Sequence, residues 1–138
     1  MPMITVEVAA EPDVELTQKI VETVTALTAR VLGKDPRVTA IAVDYLPRRH
    51  WFVGGRSAEE LGRAAFFLDV RISDGTNTKD EKARYVAETF AALERLLGPL
   101  HPESYVHVND VRADAYGYGG LTQERRYVES RAAPEPGP

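Results

Sequence analysis

The residue with the most reactive potential in this sequence is the second one. Removal of Met1 would leave Pro2 at the chain start, a secondary amine with no side-chain competitor. A free α-amino group has a pKa of about 8. Burial in an apolar pocket, or a nearby positive charge, disfavours the cation and lowers that value. A neutral amine near pH 7 can take a proton from the carbon α to a carbonyl and return it elsewhere, which is keto–enol tautomerisation. The same amine in its protonated form can act as an acid. Few other groups compete for a chemical role. The chain has no cysteine, so disulfides, thiolate metal sites and a cysteine nucleophile are excluded. Its three histidines are scattered and do not form a metal-binding pattern. No metal and no cofactor are implied.

The elements around Pro2 follow from local patterns. Met3 to Val8 is a short β-branched run and reads as a strand. Pro12-Asp13 opens a helix, with the proline in the first turn where its missing N–H is harmless. Leu16, Ile20, Val24, Leu27 and Val31 recur on one helical face, and Gly33 ends the helix. Val38 to Leu46 is a second strand, and Trp51-Phe52-Val53 a short extended piece closed by Gly54-Gly55. The order then starts again. Ala64 to Ile72 is a strand, and Asp74-Gly75 is a turn. Thr78 caps a helix bearing Val86, Phe90, Leu93 and Leu97. Tyr105 to Val111 is a strand, and Tyr116-Gly117-Tyr118 is closed by Gly119-Gly120.

The two halves superpose at a constant offset of 65 positions, which carries Gly33 to Gly98, Gly54 to Gly119, Leu32 to Leu97 and Arg30 to Arg95. This is an internal repeat of a β-α-β unit plus an extended piece. The repeats cover 2–63 and 64–127, and Phe67 stands at the offset of Pro2. A helix between two strands implies a right-handed parallel crossover. The fold class is therefore α/β (α+β): two tandem β-α-β units forming a four-stranded sheet with two helices on one face. The other face is expected to carry Ala40, Ala42, Phe66 and Leu68. Such an apolar face calls for cover, and packing three sheets around an axis would give a trimeric, barrel-like assembly.

Bulk composition narrows the function classes. Hydrophobic residues make up 43% and charged residues 28%, an ordinary soluble mixture, and the net charge of −4 gives no basic footprint for nucleic acid. The start, MPMITVEVAAEPDVE, has neither the basic n-region of a signal peptide nor an apolar run long enough to span a membrane. A cytoplasmic location is expected. RAAPEPGP at the end is rich in Pro, Ala and Gly, so 129–138 is expected to be a disordered tail after a domain over 1–128.

Taken together, the amino-terminal proline, the repeat and the two Gly-Gly pairs resemble the tautomerase superfamily, over roughly Pro2 to Tyr127. The first half is similar to 4-oxalocrotonate tautomerase, with its aromatic-x-Gly-Gly element standing here as Trp51-Phe52-Val53-Gly54-Gly55. The longer layout is similar to macrophage migration inhibitory factor, in Leu32-Gly33-Lys34-Asp35-Pro36 and in Tyr105-Val106-His107-Val108-Asn109-Asp110. The resemblance implies Pro2 as catalytic base. It also implies pocket lining by Tyr105 and His107 from a neighbouring subunit, and an aromatic edge of Trp51 and Phe52 around the proline.

Lys34 can aim its ammonium at a substrate carboxylate, or serve only as a solvated lysine at a helix C-terminus. Trp51, Phe52 and Tyr105 equally suit core or interface packing, and His107 an exposed strand position. Where relatives carry arginines, this chain has Glu11-Pro12-Asp13, Ala40 and Gly75-Thr76-Asn77. That removes the obvious grip on a dicarboxylate. The expected partner is a small enolisable keto acid or carboxylate, with the protein a homotrimeric tautomerase that binds neither nucleic acid nor membrane. Alternatives are a Pro-dependent decarboxylase, dehalogenase or hydratase of a small acid, and a non-catalytic trimeric binding protein.

Overall fold

The computed structural model describes residues 1–132. β1 (Met3–Ala9) buries Ile4, Val6 and Val8 and exposes Met3 and Thr5, the period-two pattern of a strand with one covered face. α1 (Val14–Leu32) follows. Asp13 holds extended backbone angles and its carboxylate accepts the Leu16 N–H at 3.1 Å, so Asp13 is the N-cap and Pro12 lies outside the helix rather than in its first turn. Gly33, at φ 69° and ψ 27°, ends α1 in a left-handed conformation that a side chain would strain. Residues Pro36–Val38 form a 3-10 turn, which delays β2 (Ala40–Leu46) by two residues relative to the expected start at Val38.

The second half repeats this layout. β5 (Phe66–Ser73) leads to α3 (Lys79–Leu97), whose start is a reciprocal capping box. The Glu81 N–H donates to the Thr78 hydroxyl at 3.1 Å, and the Thr78 N–H to the Glu81 carboxylate at 2.8 Å. β6 (Tyr105–Val111) completes the sheet in the order β2-β1-β5-β6. β1 and β2 are parallel, β5 and β6 are parallel, and the two halves meet through the antiparallel pair β1–β5.

Each extended aromatic piece is one arm of a two-stranded hairpin: β3 (Phe52–Val53) with β4 (Arg56–Ser57), and β7 (Gly117–Tyr118) with β8 (Leu121–Thr122). Both Gly-Gly pairs hold two successive positive φ angles, as a tight two-residue turn requires. A one-turn helix α2 (Ala58–Leu61) follows the first hairpin. A longer helix α4 (Gln123–Ala132) follows the second. Residues 129–132 of the expected tail therefore lie in α4, and 133–138 lie outside the described residues.

α1 and α3 share one face of the sheet. Ile20, Val24, Leu27 and Val31 from α1, and Tyr85 and Leu93 from α3, pack on Ile4, Val6, Val8, Phe66, Leu68, Val70 and Ile72. Phe66 and Leu68 thus belong to the covered face, contrary to the expectation that they lie opposite it. Alternation from Phe66 puts both on the side of Val70 and Ile72, with no exposure at Phe66, Leu68 or Val70. The uncovered face carries Met3, Thr5, Glu7, Ala40, Ala42, Asp44, Phe67, Asp69, Arg71, Tyr105 and His107, and is more polar than expected.

The ladder also corrects the counterpart of Pro2. Met3 pairs with Ala40, and Phe67 pairs with Tyr105, which is Ala40 carried 65 positions on. Phe67 therefore matches Met3, and Phe66 takes the place of Pro2. One extra residue between β5 and α3 restores the offset by the helix.

Candidate active site

Pro2 precedes β1 and is buried, and its carbonyl accepts the Ala40 N–H at 3.0 Å. The main chain thus fixes it against β2. It lines a cavity of about 400 Å³ together with Met1, Met3, Arg37, Val38, Thr39, Ala40, Tyr116, Gly117 and Tyr118. The aromatic wall comes from the second half. β6 runs parallel to β5 and so ends beside the beginning of β1, where it delivers the hairpin β7–β8. Tyr116 is anchored there by a 2.7 Å hydrogen bond between its hydroxyl and that of Ser73. The Tyr118 ring carries the Arg126 guanidinium 3.9 Å from its centre, and Arg126 also donates to the Tyr118 carbonyl at 2.8 Å. Gly117 permits the close pairing, since a Cβ there would meet the Leu121 carbonyl oxygen at 1.9 Å.

Two cations stand near the chain start. Arg37 lines the cavity and is held bidentately by Asp35, at 3.1 and 2.9 Å. This contact, with the Arg37 backbone N–H, holds the Asp35 carboxyl down at about 2. Lys34 is not in the cavity wall, and its ammonium donates to the Thr76 hydroxyl at 2.9 Å. Burial lowers the Lys34 pKa, against the pull of Glu81 and Asp110. Its charge still reaches the chain-terminal amine, which here belongs to Met1. That amine titrates below its ordinary value, mainly through burial. The Asp35 carboxylate opposes the shift and Lys34 adds to it.

Trp51, Phe52 and Tyr105 lie elsewhere in the chain. With Glu7, Val53, Phe67 and Glu103 they bound a second cavity of about 460 Å³ at the opposite end of β1. His107 is exposed on the uncovered sheet face, edge-on to Phe67 at 5.1 Å and to Tyr105 at 6.1 Å. Of the residues expected around the base, none joins Pro2 in its own cavity. Arg37, Tyr116 and Tyr118 do. The signal for the tyrosines was in the repeat, because Tyr116 is Trp51 carried 65 positions on. Among the described residues no cluster of His, Cys, Asp and Glu is arranged to hold a metal, and no helix is long and apolar enough to cross a membrane.

Residues 2–60 match the family described as Tautomerase, tautomerase enzyme. No curated protein matches the chain in sequence. Among solved structures, a native fused 4-OT superposes with a TM-score of 0.78 at 20% identity, covering 89% of this chain and 97% of its own. Pt0534 inactivated by 2-oxo-3-pentynoate gives 0.78 at 15% identity, covering 90% and 98%. A macrophage migration inhibitory factor-like protein from Entamoeba histolytica gives 0.72 at 18% identity, covering 88% and 97%. The first repeat thus matches a tautomerase family, and the fold over nearly the whole chain is the one that fused 4-OT structures share.

Proposed function

We propose that the protein is a keto–enol tautomerase of small enolisable keto acids, with the Pro2 amine as general base once Met1 is removed. One observation carries this reading. Pro2 is buried in a cavity whose other titratable walls are an arginine and two tyrosines, side-chain types whose reference pKa values are about 10 or higher, against about 8 for an α-amino group. The chain-terminal amine alone can be a neutral base there. Arg37 offers the substrate carboxylate a guanidinium fork, in exchange for part of its contact with Asp35. The amine takes a proton from the enol hydroxyl or from the carbon α to the carbonyl, and the same proton is delivered to the other atom. No net atoms or electrons are exchanged.

The assembly belongs to the same proposal. Fused 4-OT proteins of this fold are solved as asymmetric and as symmetric trimers. A homotrimer here would bring the edge strands of adjacent copies together. Tyr105 and His107 of one copy, with Trp51 and Phe52 behind them, would then close the proline cavity of the next, and Lys34 would keep its amine neutral.

The test is the ultraviolet assay of phenylenolpyruvate ketonisation, with malonate semialdehyde decarboxylation run beside it. Wild-type protein with Met1 absent by intact mass should be active on the first. Pro2→Ala should lower the rate by roughly a hundredfold or more, the scale of a positioned acid–base group. An unchanged rate in Pro2→Ala would remove the base, and activity confined to malonate semialdehyde would replace the reaction.

A further inference from the structure

The wall of the proline cavity holds one cationic side chain, and that charge is already neutralised. Asp35 accepts the Arg37 Nε–H at 3.1 Å on Oδ1 and the Nη2–H at 2.9 Å on Oδ2, and its Oδ1 also accepts the Arg37 backbone N–H at 2.9 Å. Arg37 alone does not hold this carboxylate in place. Asp35 caps the 3-10 turn over Pro36–Val38, and its carbonyl accepts the Val38 N–H at 3.2 Å and the Thr39 hydroxyl at 2.8 Å. Its backbone is extended, at φ −70° and ψ 117°, as a residue before proline prefers. With its carboxyl held down at about 2 by Arg37, Asp35 is charged wherever an amine can act as a base.

The other cations around the cavity are engaged too. Arg71, which pairs with Met3 across the sheet, lies 3.8 Å from the Asp69 carboxylate. Arg126 stacks on the Tyr118 ring and donates to the Tyr118 carbonyl. Lys34 donates to the Thr76 hydroxyl and is outside the cavity wall. The remaining side chains of the wall are uncharged. One ligand carboxylate can therefore be held by the Arg37 donors that Asp35 leaves open, or by displacing part of that contact. A second carboxylate finds no free cation in the wall and meets the Asp35 charge instead. Selectivity arises from such a repulsive element as much as from an attractive one.

We propose that Asp35 is a specificity-determining residue, which restricts the proline cavity to ligands with a single carboxylate and rejects dicarboxylates. This rests on the reading that substrate binds at Pro2 and Arg37. It is tested by binding as well as by turnover, so that the two can fail separately.

The full-length protein without Met1 should be titrated calorimetrically with 3-phenylpropionate and with phenylsuccinate, two unreactive ligands that differ by one carboxylate. Wild-type protein should bind the monocarboxylate about fivefold more tightly, the scale of one partly exposed charge interaction. Asp35→Asn keeps an acceptor for the Arg37 backbone N–H but removes the charge, and should bring phenylsuccinate to equal or tighter binding. Asp35→Ser can also cap the turn and should do the same, should the asparagine variant fail to fold by circular dichroism. In turnover, the ratio of kcat/KM for phenylenolpyruvate to that for enol-oxaloacetate should fall about fivefold in Asp35→Asn. A wild-type protein inactive on both enols, with its binding preference intact and lost in the variants, would remove the tautomerase reading and uphold the selectivity of the cavity. Equal wild-type affinity for the two ligands, no binding of 3-phenylpropionate, or a wild-type preference kept by the variants in either measurement would each overturn the proposal.

Discussion

Loss of Met1 turns the Pro2 nitrogen from an amide into an amine at a buried position. The Met1 amine, one residue further out, is already lowered by partial burial. Pro2 is the more deeply buried residue, so its amine should titrate below the value of about 8 of an open α-amino group. A base with a lowered pKa is protonated and idle below that pKa and neutral above it. The rate constant kcat/KM should therefore rise with pH through an apparent pKa below about 8 and then level off. A rise centred on or above the open-chain value, in a pH–rate profile with phenylenolpyruvate, would contradict the buried amine. In the proposed reaction Arg37 is assigned to substrate binding rather than to proton transfer. Arg37→Ala should raise KM by about fivefold with kcat little changed, since an exposed ion pair with a carboxylate is worth on the order of 1 kcal/mol. A fall in kcat alone in steady-state kinetics would give Arg37 a different role.

At the scale of elements, the repeat is kept more closely than its identities suggest. α1 and α3, β2 and β6, and both hairpins begin and end at positions 65 apart. The caps differ in chemistry but serve the same end, an Asp13 carboxylate for α1 and a reciprocal Thr78–Glu81 box for α3. Thr78→Ala removes the acceptor for the Glu81 N–H and should destabilise the fold by about 1 kcal/mol, read as a lower urea midpoint at unchanged m. Between the helices, the buried Tyr85 hydroxyl shares a 2.8 Å hydrogen bond with Thr28, whose own hydroxyl also donates to the Val24 carbonyl at 2.7 Å. Tyr85→Phe leaves Thr28 with that carbonyl and should cost only about 1 kcal/mol in the same measurement. The short helices after the hairpins had a local signal too. Ser57 caps Glu60 through its hydroxyl at 3.1 Å, and a serine three residues before a glutamate marks a helix start.

For the whole molecule, the proposed trimer rests on the uncovered sheet face. Because Phe66 and Leu68 face the helices, apolar burial alone is a weaker drive to trimerise than their expected exposure implied. Met3, Ala40, Ala42, Phe67 and Tyr105 remain as apolar contacts, among Glu7, Asp44, Asp69 and Arg71. A face of this mixture suits the partly polar interior of a barrel. Multi-angle light scattering should return three times the chain mass of 15.3 kDa. A stable monomer would remove both the barrel and any role for Tyr105 or His107 beside a neighbour's proline.

The sequence by itself determined the repeat, the two long helices and the four main strands, and it offered Pro2 as the candidate base. Caps, glycine stops and periodicity are local properties, and a proline at position 2 is plain in the chain. Only the tertiary structure decided which aromatic hairpin faces Pro2, which phenylalanine takes its place in the second half, and which sheet face is polar. Each of these depends on pairing between distant segments. The antiparallel join of β1 and β5 sends each half's hairpin to the other half's amino end, so Tyr116 rather than Trp51 walls the proline cavity. A one-residue difference in ladder register puts Phe66, not Phe67, in the counterpart position and turns its side chain toward the helices, because side chains alternate with a period of two.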